Sequence, residues 1–188
     1  PDPAIRDIIE ADTTLIDLAE GDLFDRNRLD NLRTSIAGRL HDEGYYDFSR
    51  EYITFTADTV RGSKEIALTL NLRPTAVQRD SVHNARIYYI RSVTFVTEDA
   101  LAAQHPDTVR YRNISVVYGS ERYIKPSALY DMCFIEPGQH YSLRNVDRTY
   151  SSLSRLSILR FINIEMHPVG RVGDVELLDA VINISRNK

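Results

Sequence analysis

The side chains able to do chemistry in this 188-residue chain are five histidines, one cysteine and a few acidic pairs. His41, His83, His105, His140 and His167 could ligate a metal or carry protons, yet none stands in the HxH or HExxH spacing that aims two imidazoles at one ion. Cys133 is alone, so no intrachain disulfide can form, and its expected role is that of a small buried hydrophobe. Asp42-Glu43 and Glu98-Asp99 fall in loops or at helix ends, where a solvated charge is the ordinary role, and Asp58-Thr59 reads as a turn. There is no GxSxG elbow, glycine-rich phosphate loop or dinucleotide fingerprint. Asn113-Ile-Ser115 and Asn183-Ile-Ser185 match the glycosylation triplet, a pattern that chance supplies often. The eleven tyrosines, in a chain without Trp, are expected to pack between helices and sheet. The expectation is a protein that is not an enzyme and has no catalytic, cofactor-binding or metal-binding residues.

Composition narrows the partners. Hydrophobic residues make up 43% and charged residues 27%, the balance of a globular protein that can bury one or two cores. The net charge of −4 is mild and both signs are interspersed, so no polyanion footprint is visible and nucleic acid is not an expected partner. No apolar run approaches the ~18 residues of a membrane helix, and no signal-peptide pattern opens the chain. Beginning at Pro1, it reads as a piece of something longer.

The elements that would position any site are organised around residues 21–55. Asp25 is a good N-cap, and Phe24 and Leu29 stand at the spacing of a hydrophobic staple. Leu29, Leu32, Ile36 and Leu40 recur on one stripe of a 3.6-residue helix, which Gly44 ends by tolerating positive φ. The period then changes to two. Ile53 and Phe55 face one way, and Tyr52, Thr54 and Thr56 the other. A helix so striped, leading directly into an alternating strand, must lie on a sheet.

The pattern returns. Gly138, Tyr141, Ser142 and Val146 repeat Gly21, Phe24, Asp25 and Leu29 at constant spacing, followed by a stripe of Val146, Tyr150, Leu153 and Leu156 and a strand with Ile162, Ile164 and Met166 in alternation. An internal repeat constrains architecture more than any single element. Around it, Ile5, Ile8 and Ile9 suggest a short helix behind Pro3. A turn at Arg61, Gly62 and Ser63 would join the first strand to one carrying Ile66, Leu68, Leu70 and Leu72 inward, and Pro74 with the polar residues 75–84 closes the module. In RIYYIRSVTFV the apolar phase changes between Arg91 and Val93, which predicts a bulge. Residues 98–112 are the least patterned, 113–123 read as a hairpin turning at Gly119-Ser120, Lys125-Pro126-Ser127 opens a helix, and 161–169 pairs with 176–185.

The fold class expected is α+β: two tandem modules, 1–80 and 81–188, of order β-α-α-β-β. Each would be a three-stranded mixed sheet with two helices on one face, the second carrying an insertion around 98–124. The opening strand of the first module is missing and would lie upstream of Pro1.

This order resembles the POTRA (polypeptide-transport-associated) domains of BamA/TamA-like outer-membrane assembly proteins of the bacterial surface-antigen type. The resemblance covers nearly the whole chain and rests on G-x-x-F-D at 21–25, GYYDF at 44–48, YITFTADT at 52–59, YYIRSV at 88–93, G-x-x-Y-S at 138–142 and L-x-x-L-x-x-L-R-F at 153–161. It implies a soluble arm on the periplasmic side of the outer membrane, in front of a C-terminal β-barrel of the same protein that assembles, inserts or translocates outer-membrane or surface proteins. It further implies unfolded client polypeptides and accessory periplasmic proteins as partners, with no cofactor and no small-molecule substrate. In such modules the second strand is a free edge, which carries over to Tyr52, Ile53, Thr54, Phe55 and Thr56, and to Phe161, Ile162, Asn163, Ile164, Glu165 and Met166. An open edge can accept an extended segment by backbone pairing. The alternative is a scaffold module of a division or secretion complex that binds folded partners by its helix faces.

Overall fold

A computed structural model describes residues 3–59, 62, 64–73 and 86–187. The chain forms two compact units, 1–41 with 45–86 and 42–44 with 87–188. Arg61, Ser63, Pro74, the 75–84 connection and the expected module boundary at 80/81 lie outside the described residues.

In the first unit, helix α1 (Pro3–Ala11) buries Ile5 and Ile9, and helix α2 (Arg26–Asp42) buries Leu29, Leu32, Ile36, Ala37 and Leu40. The Asp25 carboxylate accepts the Asn27 amide at 2.8 Å, as a cap should. Phe24 does not close the staple, being 50% exposed. After Gly44, at φ 96°, the Tyr45 amide returns to the Leu40 carbonyl at 3.1 Å, the bond that ends a helix through a left-handed glycine. A 3-10 turn (Arg50–Tyr52) leads into β1 (Ile53–Thr59), which pairs antiparallel with β2 (Ile66–Leu72). Tyr52, expected in the strand, therefore sits in the turn before it, held edge to face on Phe48 at 5.6 Å.

The hairpin is buried at one end. Ile53 is inaccessible and Phe55, Leu70 and Leu72 pack on the helical core, whereas Ile66 and Leu68, expected to point inward, are 40% and 38% exposed. The apolar face of the hairpin continues beyond the residues the two helices cover. Among the described residues this sheet has two strands.

The second unit contains β3 (Tyr88–Thr97), β4 (Asp107–Tyr111), β5 (Ile114–Tyr118), α3 (Pro126–Met132), α4 (Leu143–Leu153), β6 (Leu159–Val172) and β7 (Val175–Arg186), with sheet order β4-β5-β3-β7-β6. β3 runs parallel to both neighbours, and its register shifts between Ile90 and Ser92, leaving Arg91 as the extra residue of the expected bulge. Phe95, Val116, Leu178, Ala180 and Ile182 are fully buried on one face of the sheet, and Leu129 and Leu153 of the two helices are fully buried as well.

The insertion corrects two expectations. Residues 107–111, in the stretch read as unpatterned, are a strand, and the hairpin turns at Arg112-Asn113 rather than at Gly119-Ser120. The three-stranded core β3-β7-β6 is thereby widened to five strands. β5 covers the second half of β3's outer edge, while Gly138–Tyr141 covers the first, with bonds of 2.8 Å from the Gly138 and Tyr141 amides to the Ile90 and Tyr88 carbonyls. Asp99 latches the insertion to the end of β3. Its carboxylate accepts the Thr97 hydroxyl at 2.6 Å and the Ser120 amide and hydroxyl at 2.8 and 3.1 Å. Gly119 must lack a side chain, since a Cβ there would lie 2.4 Å from the Asp99 carbonyl carbon.

Helix α4 also differs from the stripe expected of it. Ser142 caps it through the Asn145 amide at 3.3 Å, but the buried positions are Thr149, Ser152 and Leu153, and Tyr150 is 51% exposed. Two hydroxyls are tolerated inside because each is bonded: Thr149 donates to the Asn145 carbonyl at 2.8 Å and accepts the Phe134 amide at 2.9 Å, and Ser152 contacts the Met132 sulfur.

Candidate docking edges

The residues expected to bind partners are the two hairpin strands that stand at sheet edges. Among the described residues, β1 and β6 each pair on one side only, with β2 and β7 respectively. Within β1, Ile53 is buried, Thr54 and Phe55 are half-buried and Thr56 is exposed. A cross-strand bond and a helix contact brace it: Asn71 of β2 donates to the Thr56 hydroxyl at 2.8 Å, and the Arg33 guanidinium of α2 lies 5.5 Å from the Phe55 ring centre.

β6 is longer and more sharply two-faced. Ile162, Ile164 and Met166 pair with Ile184, Ile182 and Ala180, whose side chains form the core, so these three share the helix-covered face and are half-buried. Phe161, Asn163 and Glu165 occupy the opposite face, where Phe161 is 56% exposed, Asn163 donates to Glu165 at 2.6 Å and His167 contacts Glu165 at 3.2 Å. One register shift at Leu159/Phe161 interrupts the near end of the edge, and a second, beside Pro168, interrupts the far end, devices that limit uncontrolled pairing. A small hollow beside β6, lined by Ile90, Ile135, Tyr141, Val146 and Met166, holds about 10 Å³, far below what a small-molecule ligand requires.

The reactive side chains stand apart. His41 bonds the Phe48 carbonyl at 2.7 Å. Burial pushes the Cys133 thiol up to about 11, so at neutral pH it is not a thiolate nucleophile. Among the described residues, no three of His, Cys, Asp and Glu converge as a metal site would require. Sequence reasoning missed one polar cluster: Arg91, the bulged residue, forks onto Asp179, which also accepts the Ser92 hydroxyl at 2.7 Å. Hydrogen bonding from Arg91 holds the Asp179 carboxyl below its ordinary range. The phase break at 91–93 was the available signal, since a bulge re-aims a side chain, though nothing in the sequence specified its partner 88 residues away.

Two helices packed on one face of a sheet, whose central strand is flanked antiparallel by a hairpin partner and in parallel by the unit's opening strand, define a small α+β module, and this arrangement is the POTRA fold. No family model and no curated protein matches the sequence. Among solved structures, BamA from Haemophilus ducreyi lacking POTRA domains 1–3 matches with a TM-score of 0.59 at 16% identity, covering 99% of this chain and 27% of that one. POTRA domains 3–5 of Haemophilus influenzae BamA match with a TM-score of 0.51 at 14% identity, covering 97% and 54%. The chain thus spans about a quarter and about a half of these two solved chains, and at these identities the fold is what is shared.

Proposed function

We propose that this chain is part of the periplasmic arm of a BamA/TamA-like outer-membrane β-barrel protein, and that it docks unfolded outer-membrane or surface proteins, or accessory periplasmic proteins, without performing a reaction. The observation that carries the reading is β6: among the described residues a sheet edge paired on one side only, with Ile162, Ile164 and Met166 alternating along the face the helices cover. Such an edge offers backbone groups to any extended chain, so affinity depends little on client sequence, while the half-buried row favours alternate apolar residues. β1 offers a shorter version over Ile53–Thr59. The likeness to BamA POTRA domains supports the location and the absence of catalysis through fold alone.

Titration of the ¹⁵N-labelled chain with peptides copied from barrel strands tests the reading. Amide shifts should cluster at Phe161–Met166 and Ile53–Thr56. Shifts confined to the outer surfaces of α2 and α4 would overturn edge pairing and favour a scaffold that binds folded partners by its helices.

A further inference from the structure

We propose that the insertion gives the second unit another docking edge, strand β4, fitted to an extended polypeptide segment that carries carboxylate side chains. The inference rests on the reading above insofar as extended chains are the partners, but it assigns them to an edge which that reading does not use.

Strand β4 is the outermost strand of the five, opposite β6. Its loop to β5 has two residues, Arg112 and Asn113, which makes Tyr111 and Ile114 the hydrogen-bonded closing pair. Counting back by alternation, Val109 and Asp107 also turn their backbone toward β5, and Thr108 and Arg110 turn theirs outward. Both outward residues are exposed and sit in a ladder without register shifts, unlike the interrupted far end of β6. On the helix side α3 borders the strand, where the Tyr111 ring meets Tyr130 edge to face at 5.8 Å.

Charge selects the partner. Asp107 is held by Arg122, so the acid of the strand is already matched. Arg110 is exposed, and the Arg112 guanidinium rests on the rings of Tyr111 and Tyr130 at 5.7 and 4.8 Å, with Asp131 the acid in its vicinity. The edge therefore presents two cations, one of them pre-positioned on aromatic rings, a combination found at binding hot spots.

Arg112 is also the one non-glycine residue at positive φ among the described residues, at 50°. Positive φ at the first loop position alone is the pattern of a II′ turn, where glycine is the usual occupant. An arginine there is strained by about 1 kcal/mol or more, a cost that the seating of its guanidinium on Tyr111 and Tyr130 helps to offset.

The test titrates the full chain with a ten-residue peptide of alternating valine and threonine bearing two glutamates, and with the same peptide bearing lysines. The glutamate peptide should shift the amides of Thr108–Arg112 and bind about tenfold more tightly than the lysine one, with the difference shrinking as salt is raised. Arg110→Pro removes an outward N–H without touching the β4–β5 ladder, so it should abolish those shifts and leave Tm nearly unchanged; Thr108→Pro serves if the first variant folds poorly. Arg112→Gly should hold or raise Tm while weakening the glutamate peptide about three- to tenfold, a split that a purely structural arginine would not give. Equal binding of the two peptides, or indifference to both kinds of variant, overturns the proposal. Shifts at Phe161–Met166 with none at 108–112 would overturn it while leaving the proposed function standing, and the reverse would do the opposite.

Discussion

The hairpins β1–β2 and β6–β7 are the same element in two settings. Both are antiparallel, both follow a capped helix, and both alternate apolar and polar residues. In the second unit β7 is flanked by β3 as well as β6, and Leu178, Ala180 and Ile182 are fully buried. In the first, no described strand pairs with the outer edge of β2, and Ile66 and Leu68 of its apolar row remain substantially exposed. Alternation says which face a residue takes. How much water that face sees depends on whether other elements reach across it.

The largest effect should come from testing that difference directly. Ile182→Ala in β7 removes side-chain atoms from a sealed core and should cost about 2–5 kcal/mol, whereas Leu68→Ala in β2, equally apolar and equally alternating, should stay within about 0.5 kcal/mol. Urea unfolding of the two variants measures both, and similar losses would show that the distal half of the β1–β2 hairpin is covered in solution.

A second perturbation strikes the device that makes the sheets unequal. Gly119→Ala drives a methyl into the Asp99 backbone and should cost about 1–3 kcal/mol, with hydrogen exchange accelerating first in Asp107–Tyr118. Uniform acceleration across both units would mean that the insertion is not separately anchored.

The smallest effect is the pH dependence of the same latch. The Thr97 hydroxyl, with the Ser120 and Glu121 amides, holds the Asp99 carboxyl at about 2 against an ordinary 3.8. A lowered folded-state pKa stabilises fully above the ordinary value and is lost as pH falls toward 2. Asp99→Asn should therefore lower stability by about 1 kcal/mol or less at pH 7, after solvent screening, and the gap from the parent should close between about pH 4 and pH 2. A gap that persists at pH 2 would assign the loss to packing.

Much of this molecule was legible in the chain because it depends on near neighbours. Asp25 and Ser142 cap the helices that follow, Gly44 ends α2, and the phase change at 91–93 marks a bulge, since each involves residues within a turn or two of one another. The order of elements followed from the repeat, whereas the edge positions of β1 and β6 were implied by the resemblance to POTRA domains. Less legible was the 98–124 segment, whose strand β4 carries Asp107, Thr108 and Arg110 on a short exposed edge and so lacks the apolar alternation that betrays a half-buried strand. Tyr150 was placed in the core by its spacing, but Thr149 and Ser152 took the inward positions once their hydroxyls found partners in Phe134 and Met132.

By itself, then, the sequence determined the local elements, their caps and their duplication, because helix and strand periodicity are written in neighbouring residues. Only the tertiary structure decided that the insertion joins the sheet in parallel beside β3, that Asp99 and Gly119 lock it there, and that β4 becomes an edge. Those outcomes hinge on contacts between segments some twenty or more residues apart, where the gain from pairing and burial depends on three-dimensional fit that no local pattern encodes.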